Sequence, residues 1–95
     1  MEKQPAVYIL ANKRNGAIYI GVTSDLSVRI TQHKENQVDG FSKQNGTHLL
    51  VWYGYYDTMA QAIAEEKRLK EWNRAWKIQL IEKTNPYWND LSDTI

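Results

Sequence analysis

The sequence predicts an α+β domain, and three observations predict it. Two apolar runs rich in Ile, Val and Tyr, residues 6–12 and 17–22, flank the turn-like "KRNG". A third such run, "THLLVWYGYY", follows later. Between and after these runs, three stretches carry apolar residues at helical spacing. The 95 residues are read as one domain. Its core is expected over about residues 6–83, with a C-terminal tail over 84–95.

In the first hairpin, Asn15-Gly16 can adopt the positive φ angles of a tight turn, so the two runs form an antiparallel pair with both faces mostly covered. "TSDLSVRITQHKENQ" follows. Thr23 or Ser24 is the expected helix cap, with Asp25 near the positive end. Leu26, Ile30 and His33 fall at i, i+4 and i+7, with Arg29 at i+3. A helix over about 25–36 therefore carries Arg29 and His33 along its apolar stripe. "VDGFSKQNG" reads as a loop punctuated by Gly40 and Gly46. The third strand spans about eight residues.

Thr58 and Gln61 have capping-box spacing and open a second helix. Met59, Ala62, Ile63, Leu69 and Asn73 mark its inner face. Glu66 lies within that stripe, whereas Glu65 falls with Gln61 and Arg68 on the polar side. Trp72, Trp76, Leu80 and Ile81 continue the apolar pattern through a third helix, after a bend near Asn73. Asn85-Pro86 ends it, because proline disfavours helix in the residue before it. The tail "YWNDLSDTI" either packs back through Trp88 and Leu91 or frays.

Composition narrows the function classes. Twelve Lys+Arg oppose 11 Asp+Glu for a net charge of +1, so nucleic-acid contact has to rest on local patches. The absence of cysteine excludes disulfides, thiolate metal sites and cysteine nucleophiles, and it fits a cytoplasmic protein. No apolar run approaches the roughly 20 residues needed to span a bilayer, and the N-terminus lacks signal-peptide architecture. Four Trp and six Tyr suit an aromatic core or base-stacking surfaces. Spacing assigns Trp72, Trp76 and Trp88 to the core.

Polar groups on inward or strand positions are Tyr8, Tyr19, Arg29, His33 and Glu66. A carboxylate on an apolar stripe is costly unpaired and calls for Arg29, a lysine such as Lys70, or a bound cation. Glutamate oxygens suit Mg²⁺ or Mn²⁺, arginine meets phosphate through paired hydrogen bonds, and tyrosine and histidine can hold or deprotonate a water. The set matches metal-assisted attack of water on a phosphodiester. Lys43 is a candidate phosphate contact on a loop. Lys70, within the basic segment Lys67, Arg68, Lys70, Arg74 and Lys77, is a candidate contact to a nucleic-acid backbone.

Val7-Tyr8 and Tyr19-Ile20-Gly21, followed in order by Arg29, His33, Glu66 in "AEEKRLKEW" and Asn85 in "NPYWNDL", resemble the motifs of the GIY-YIG endonuclease superfamily. The likeness runs from Ala6 to Leu91 and is to the small stand-alone bacterial members. It implies a three-stranded antiparallel sheet flanked by about three helices and one-metal cleavage of phosphodiester bonds in DNA, with repair or recombination as the setting. By the same resemblance, Glu66 is the metal ligand and Tyr8 the general base or water-positioning group. Tyr19 holds phosphate or water, Arg29 neutralises charge on the scissile phosphate, His33 orients a tyrosine or assists proton transfer, and Asn85 supports the site. Ala6 replaces the glycine of the first triplet, and Gly54 stands where stand-alone relatives often carry Glu. The expected partner is branched, damaged or single-stranded DNA, with RNA an open alternative, and the expected state is a monomer or weak dimer. A rival reading is a non-catalytic nucleic-acid-binding or adaptor module that keeps the fold.

Overall fold

A computed structural model of the chain describes residues 4–35 and 46–95. Strand β1 (Ala6–Ala11) pairs antiparallel with both β2 (Ile18–Thr23) and β3 (Leu49–Tyr55), giving the order β2-β1-β3. As the middle strand, β1 is covered on both faces, and all six of its residues are buried. Its side chains alternate. Val7, Ile9 and Ala11 join Ile20, Val51, Ala62, Leu69, Ile81 and Trp88 in one core. Ala6, Tyr8 and Leu10 join Leu26, Ile30 and Leu50 in the other. The first core lies under helices α2 (Met59–Glu71) and α3 (Arg74–Thr84), and the second under α1 (Leu26–Lys34). This is the expected three-stranded α+β architecture with three helices among the described residues. Each fully buried Leu or Ile here contributes on the order of 1.5–3 kcal/mol.

The hairpin turn departs from expectation. The loop runs over residues 12–17, and only Asn15 has positive φ (60°). Gly16 is needed for space instead: a β-carbon there would stand 2.0 Å from Asn12 Oδ1, which accepts from the Ala17 amide at 2.8 Å. The Arg74 guanidinium, at the start of α3, then donates to the carbonyls of Asn15 and Gly16 at 2.7 and 2.6 Å, tying the tip of the hairpin to the helix.

The helix ends explain themselves locally. The cap of α1 is Asp25 rather than Thr23 or Ser24. Asp25 holds extended backbone and its carboxylate accepts from the Val28 amide at 3.3 Å, while the Thr23 hydroxyl accepts from the Asp25 amide at 3.0 Å. Thr58 and Gln61 form the expected capping box on α2. The inner stripe of α2 is narrower than predicted. Ala62 and Leu69 are buried, but Ile63, about 100° round the axis from Ala62, is 38% exposed. The bend before α3 is a full break. Trp72 turns extended, and Asn73 is a cap whose side chain accepts from the Trp76 amide at 2.9 Å, not an inner-face residue. Of the three tryptophans assigned to the core, Trp88 is buried in it, Trp72 is half-buried and packed against it, and Trp76 is 53% exposed.

Helix α3 ends at Thr84, before Asn85-Pro86, and the tail packs back. Leu91 donates to the Leu50 carbonyl at 2.7 Å, the Leu50 amide donates to Asp90 at 3.2 Å, and Asp90 pairs with Lys34 at 2.6 Å. The tail thus covers the free edge of β3 and ties it to α1, which removes an unpaired strand edge. Burial pushes the Asp90 carboxyl up, but hydrogen bonds from Lys34, Ser92 and Leu50 outweigh it and hold the group at about 2. No helix among the described residues is long and apolar enough to cross a membrane.

Candidate active site

The register of β1 and β2 sets Tyr8 opposite Gly21 and Leu10 opposite Tyr19, so both phenols leave the sheet on the α1 side. The Tyr8 ring lies across Gly21. A β-carbon at that position would stand 2.3 Å from Tyr8 Oη and 2.4 Å from Cζ. The missing side chain is therefore what lets Tyr8 lean over β2.

Helix α1 meets it from above. Leu26 and Ile30 bury the stripe that His33 completes, and His33 is only 2% exposed. Its Nε2 lies 3.1 Å from Tyr8 Oη. The three rings form a cluster: centroids are 6.3 Å apart for Tyr8 and Tyr19, 5.6 Å for Tyr8 and His33, and 5.3 Å for Tyr19 and His33.

Burial sets the protonation states. It pushes the Tyr8 hydroxyl well above the ordinary phenol range, helped by Tyr19 and, more weakly, by the Glu66 charge, while Arg29 opposes. It pushes His33 down to about 4, aided by the Arg29 and His48 charges. Both groups are therefore neutral near pH 7. In the tautomer protonated at Nδ1, His33 Nε2 accepts the Tyr8 proton.

Arg29 is half-buried on α1, and its charge acts on both Tyr8 and His33. Its backbone amide continues the helix by donating to the Asp25 carbonyl at 3.1 Å, and its guanidinium has the fork of donors that suits an anion. Glu66 stands on α2, which packs on β2 and β1 from the other face of the sheet, and its charge is felt weakly at Tyr8. Its side chain is 14% exposed and pairs with Lys70 at 3.3 Å. Of the partners its sequence position allowed, the lysine at i+4 is the one it takes. Lys70, Lys77 and Tyr19, with Ile18 and Ile20, line a cleft of about 270 Å³.

The structure thus gathers Tyr8, Tyr19 and His33 in one cluster, with the Arg29 charge, and more weakly the Glu66 charge, acting on Tyr8. It does not bring Asn85 among them. Asn85 is a buried clamp: its amide donates to the Val51 and Asn89 carbonyls at 3.1 and 2.9 Å, and its Oδ1 accepts from the Asn89 amide at 3.0 Å. Val51 belongs to the core on the far side of the sheet from Tyr8. Lys43 lies outside the described residues. Gly54 pairs with Val7, so a side chain there would also leave the sheet on the face away from the tyrosines. Ala6 sits fully buried in β1 without positive φ, so alanine serves where the first triplet has glycine. Lys77 is the cleft residue that sequence reasoning did not single out. It stands seven residues after Lys70, a spacing that keeps two residues near one face even of a continuous helix.

Among the described residues, no group of three or more His, Cys, Asp or Glu could hold a metal ion. Glu66 offers one largely buried carboxylate. That donor set fits Mg²⁺ or Mn²⁺ shared between one carboxylate, waters and a substrate phosphate, and not a site made by protein ligands alone.

A family model described as the GIY-YIG catalytic domain matches residues 4–79. A UPF0213 protein of Vibrio parahaemolyticus is 33% identical over 86% of this chain and 76% of its own length. One of Staphylococcus saprophyticus is 30% identical over 81% of this chain and 93% of its own. The solution NMR structure of a UPF0213 protein from Bacillus halodurans superposes with a TM-score of 0.56 at 29% identity, covering 90% of this chain and 92% of that one.

Proposed function

Because the chain belongs to the family of GIY-YIG catalytic domains, the catalytic domains of a nuclease superfamily, we propose that it is a divalent-metal-dependent endonuclease that hydrolyses phosphodiester bonds in DNA, in repair or recombination. The observation that carries this reading is the 3.1 Å contact between Tyr8 Oη and His33 Nε2, with the Arg29 charge acting on both groups.

Arg29 binds two oxygens of the scissile phosphate and offsets the charge that develops there. The Tyr8 and Tyr19 hydroxyls hold the phosphate and the attacking water. Because Tyr8 and His33 are both neutral, the water's proton leaves in step with transfer of the Tyr8 proton to His33 Nε2. The incoming phosphate assists, since its negative charge counters the Arg29 field that disfavours a protonated His33. Glu66 would hold the divalent ion, releasing Lys70 toward the cleft that adjoins Tyr19. The ion supplies Lewis-acid stabilisation of charge on the phosphate oxygens.

The test is cleavage of supercoiled plasmid and of labelled branched DNA, single-stranded DNA and RNA, with Mg²⁺, Mn²⁺ or EDTA. Metal-dependent cuts in DNA, lost in Tyr8→Phe and Glu66→Gln, are expected. Binding without cleavage, equal in wild type and Glu66→Gln, would overturn the reading in favour of an adaptor module. Cutting of RNA alone would overturn the choice of DNA.

A further inference from the structure

Trp76 projects from α3 with 53% of its surface exposed, although Ile78 and Ile81 of the same helix face the core. Trp72 stands edge-on to it, with centroids 5.8 Å apart and planes at 89°. The Arg68 guanidinium covers the Trp72 ring at 4.9 Å from its centroid. The stacked cation engages one face of Trp72, while Trp76 keeps more than half of its surface open. Trp76, Gln79, Leu80 and Lys83 recur at i, i+3, i+4 and i+7 along one face of α3. With Trp72 they line a cleft of about 340 Å³, at the low end of the roughly 300–1,000 Å³ typical of small-ligand sites.

The chemistry of this cleft selects its occupant. A flat, exposed indole binds another flat ring by stacking. Gln79 offers both a donor and an acceptor for the edge of a heterocycle. Lys83 supplies a cation, and no carboxylate lines the cleft among the described residues, so an anion is attracted and not repelled. The cleft and the one beside Tyr19 are both built from α2, α3 and the break between them. Lys70 and Lys77, which line the cleft beside Tyr19, are the near neighbours in sequence of Trp72 and Trp76 across the helix break.

We propose that the Trp72–Trp76 cleft is a stacking site for an unpaired base of a single-stranded nucleic-acid segment, with Trp76 as the platform and Lys83 on the adjoining phosphate. The proposal rests on the nuclease reading for its choice of nucleic acid, and it deepens that reading by naming single-stranded substrate. Base-on-aromatic stacking is lost on alanine substitution at a cost that corresponds to roughly tenfold in affinity or more.

The test is anisotropy with three labelled probes in EDTA, where no cutting intervenes: a short oligothymidylate, the same backbone with abasic sites, and a blunt duplex. Trp76→Ala should weaken oligothymidylate binding about tenfold, Trp76→Phe should retain most of the affinity, and duplex binding should not change. The abasic probe should bind wild type as weakly as oligothymidylate binds Trp76→Ala. Thermal melts confirm that both variants fold, and Trp76→Phe keeps the test decisive should Trp76→Ala not. Equal affinity of wild type for the base-bearing and abasic probes would overturn the proposal, as would a Trp76→Ala variant that binds normally. A wild-type dimer dissolved by Trp76→Ala in sedimentation would also overturn it and give the cleft to self-association. Trp76-dependent binding in a protein that cuts nothing sinks the nuclease reading alone; cutting with no role for Trp76 sinks the stacking site alone.

Discussion

The Tyr8 phenol lies over the Cα of Gly21, its partner across the β1–β2 ladder, so closely that a β-carbon on Gly21 would fall within 2.3 Å of Oη. The second triplet's glycine and the first triplet's tyrosine are therefore two halves of one steric arrangement. One supplies the ring and the other the room for it. Gly21→Ala should destabilise the fold by about 1–3 kcal/mol, the usual penalty for overpacking a core, and should abolish cleavage. Tyr8→Phe should not relieve the clash, because Cζ itself would stand 2.4 Å away. Tyr8→Ala should. Urea unfolding of the double-mutant cycle checks this: additivity of Gly21→Ala and Tyr8→Ala would show that the two positions do not compete for space.

His33 makes stability depend on pH. Its folded value of about 4 lies below the ordinary 6.5, so between these values the unfolded chain binds a proton that the folded chain refuses. Stability should be fully present above about pH 6.5 and fall as the pH drops toward 4, by up to about 3 kcal/mol. His33→Asn should flatten the slope in that window while the slope below pH 4, where Asp90 takes its proton at about 2, persists. Unfolding free energies across the range decide it; an unchanged slope in the variant would assign the dependence elsewhere.

Glu66→Gln separates charge from packing. The pair with Lys70 is an i,i+4 contact on a helix, of a kind that adds only about 0.2–0.5 kcal/mol. The variant should melt within a degree or two of wild type and yet lose metal-dependent nicking by about a hundredfold or more, the scale on which single electrostatic groups act in transition states. Parallel melting and plasmid-nicking measurements test both halves.

Asn85→Ala should do the reverse. It removes three side-chain hydrogen bonds and leaves the Val51 carbonyl and the Asn89 backbone without partners. A loss of about 2–3 kcal/mol is expected, with loosening of the tail from the edge of β3. Activity per folded molecule, measured well below the melting temperature, should stay near wild type. A selective loss of turnover in a stable variant would return Asn85 to the site.

Local order was legible because it is written in short-range chemistry. Alternation and β-branched residues marked three strands, and the Thr58–Gln61 box opened its helix where the spacing placed it. Tyr8, Tyr19, Arg29, His33 and Glu66 could be picked out as candidates from their positions on strands and stripes. What failed were features decided by a competitor nearby. Asp25 took the cap because Thr23 was already bonded to the Asp25 backbone, and Asn73 left the inner face to cap α3. Asn85 needed the third dimension, since Val51, its partner on β3, is far away in the chain.

By itself, the sequence determined which segments become strands and helices, and which polar groups stand on surfaces that must be covered. The tertiary structure decided which of those groups meet. His33 on Tyr8, Lys77 beside Tyr19, and Trp76 in solvent all depend on how α1, α2 and α3 seat on a twisted sheet. The physical reason is range: periodicity fixes the face a residue occupies within its own element, whereas contact between elements depends on packing that no local pattern encodes.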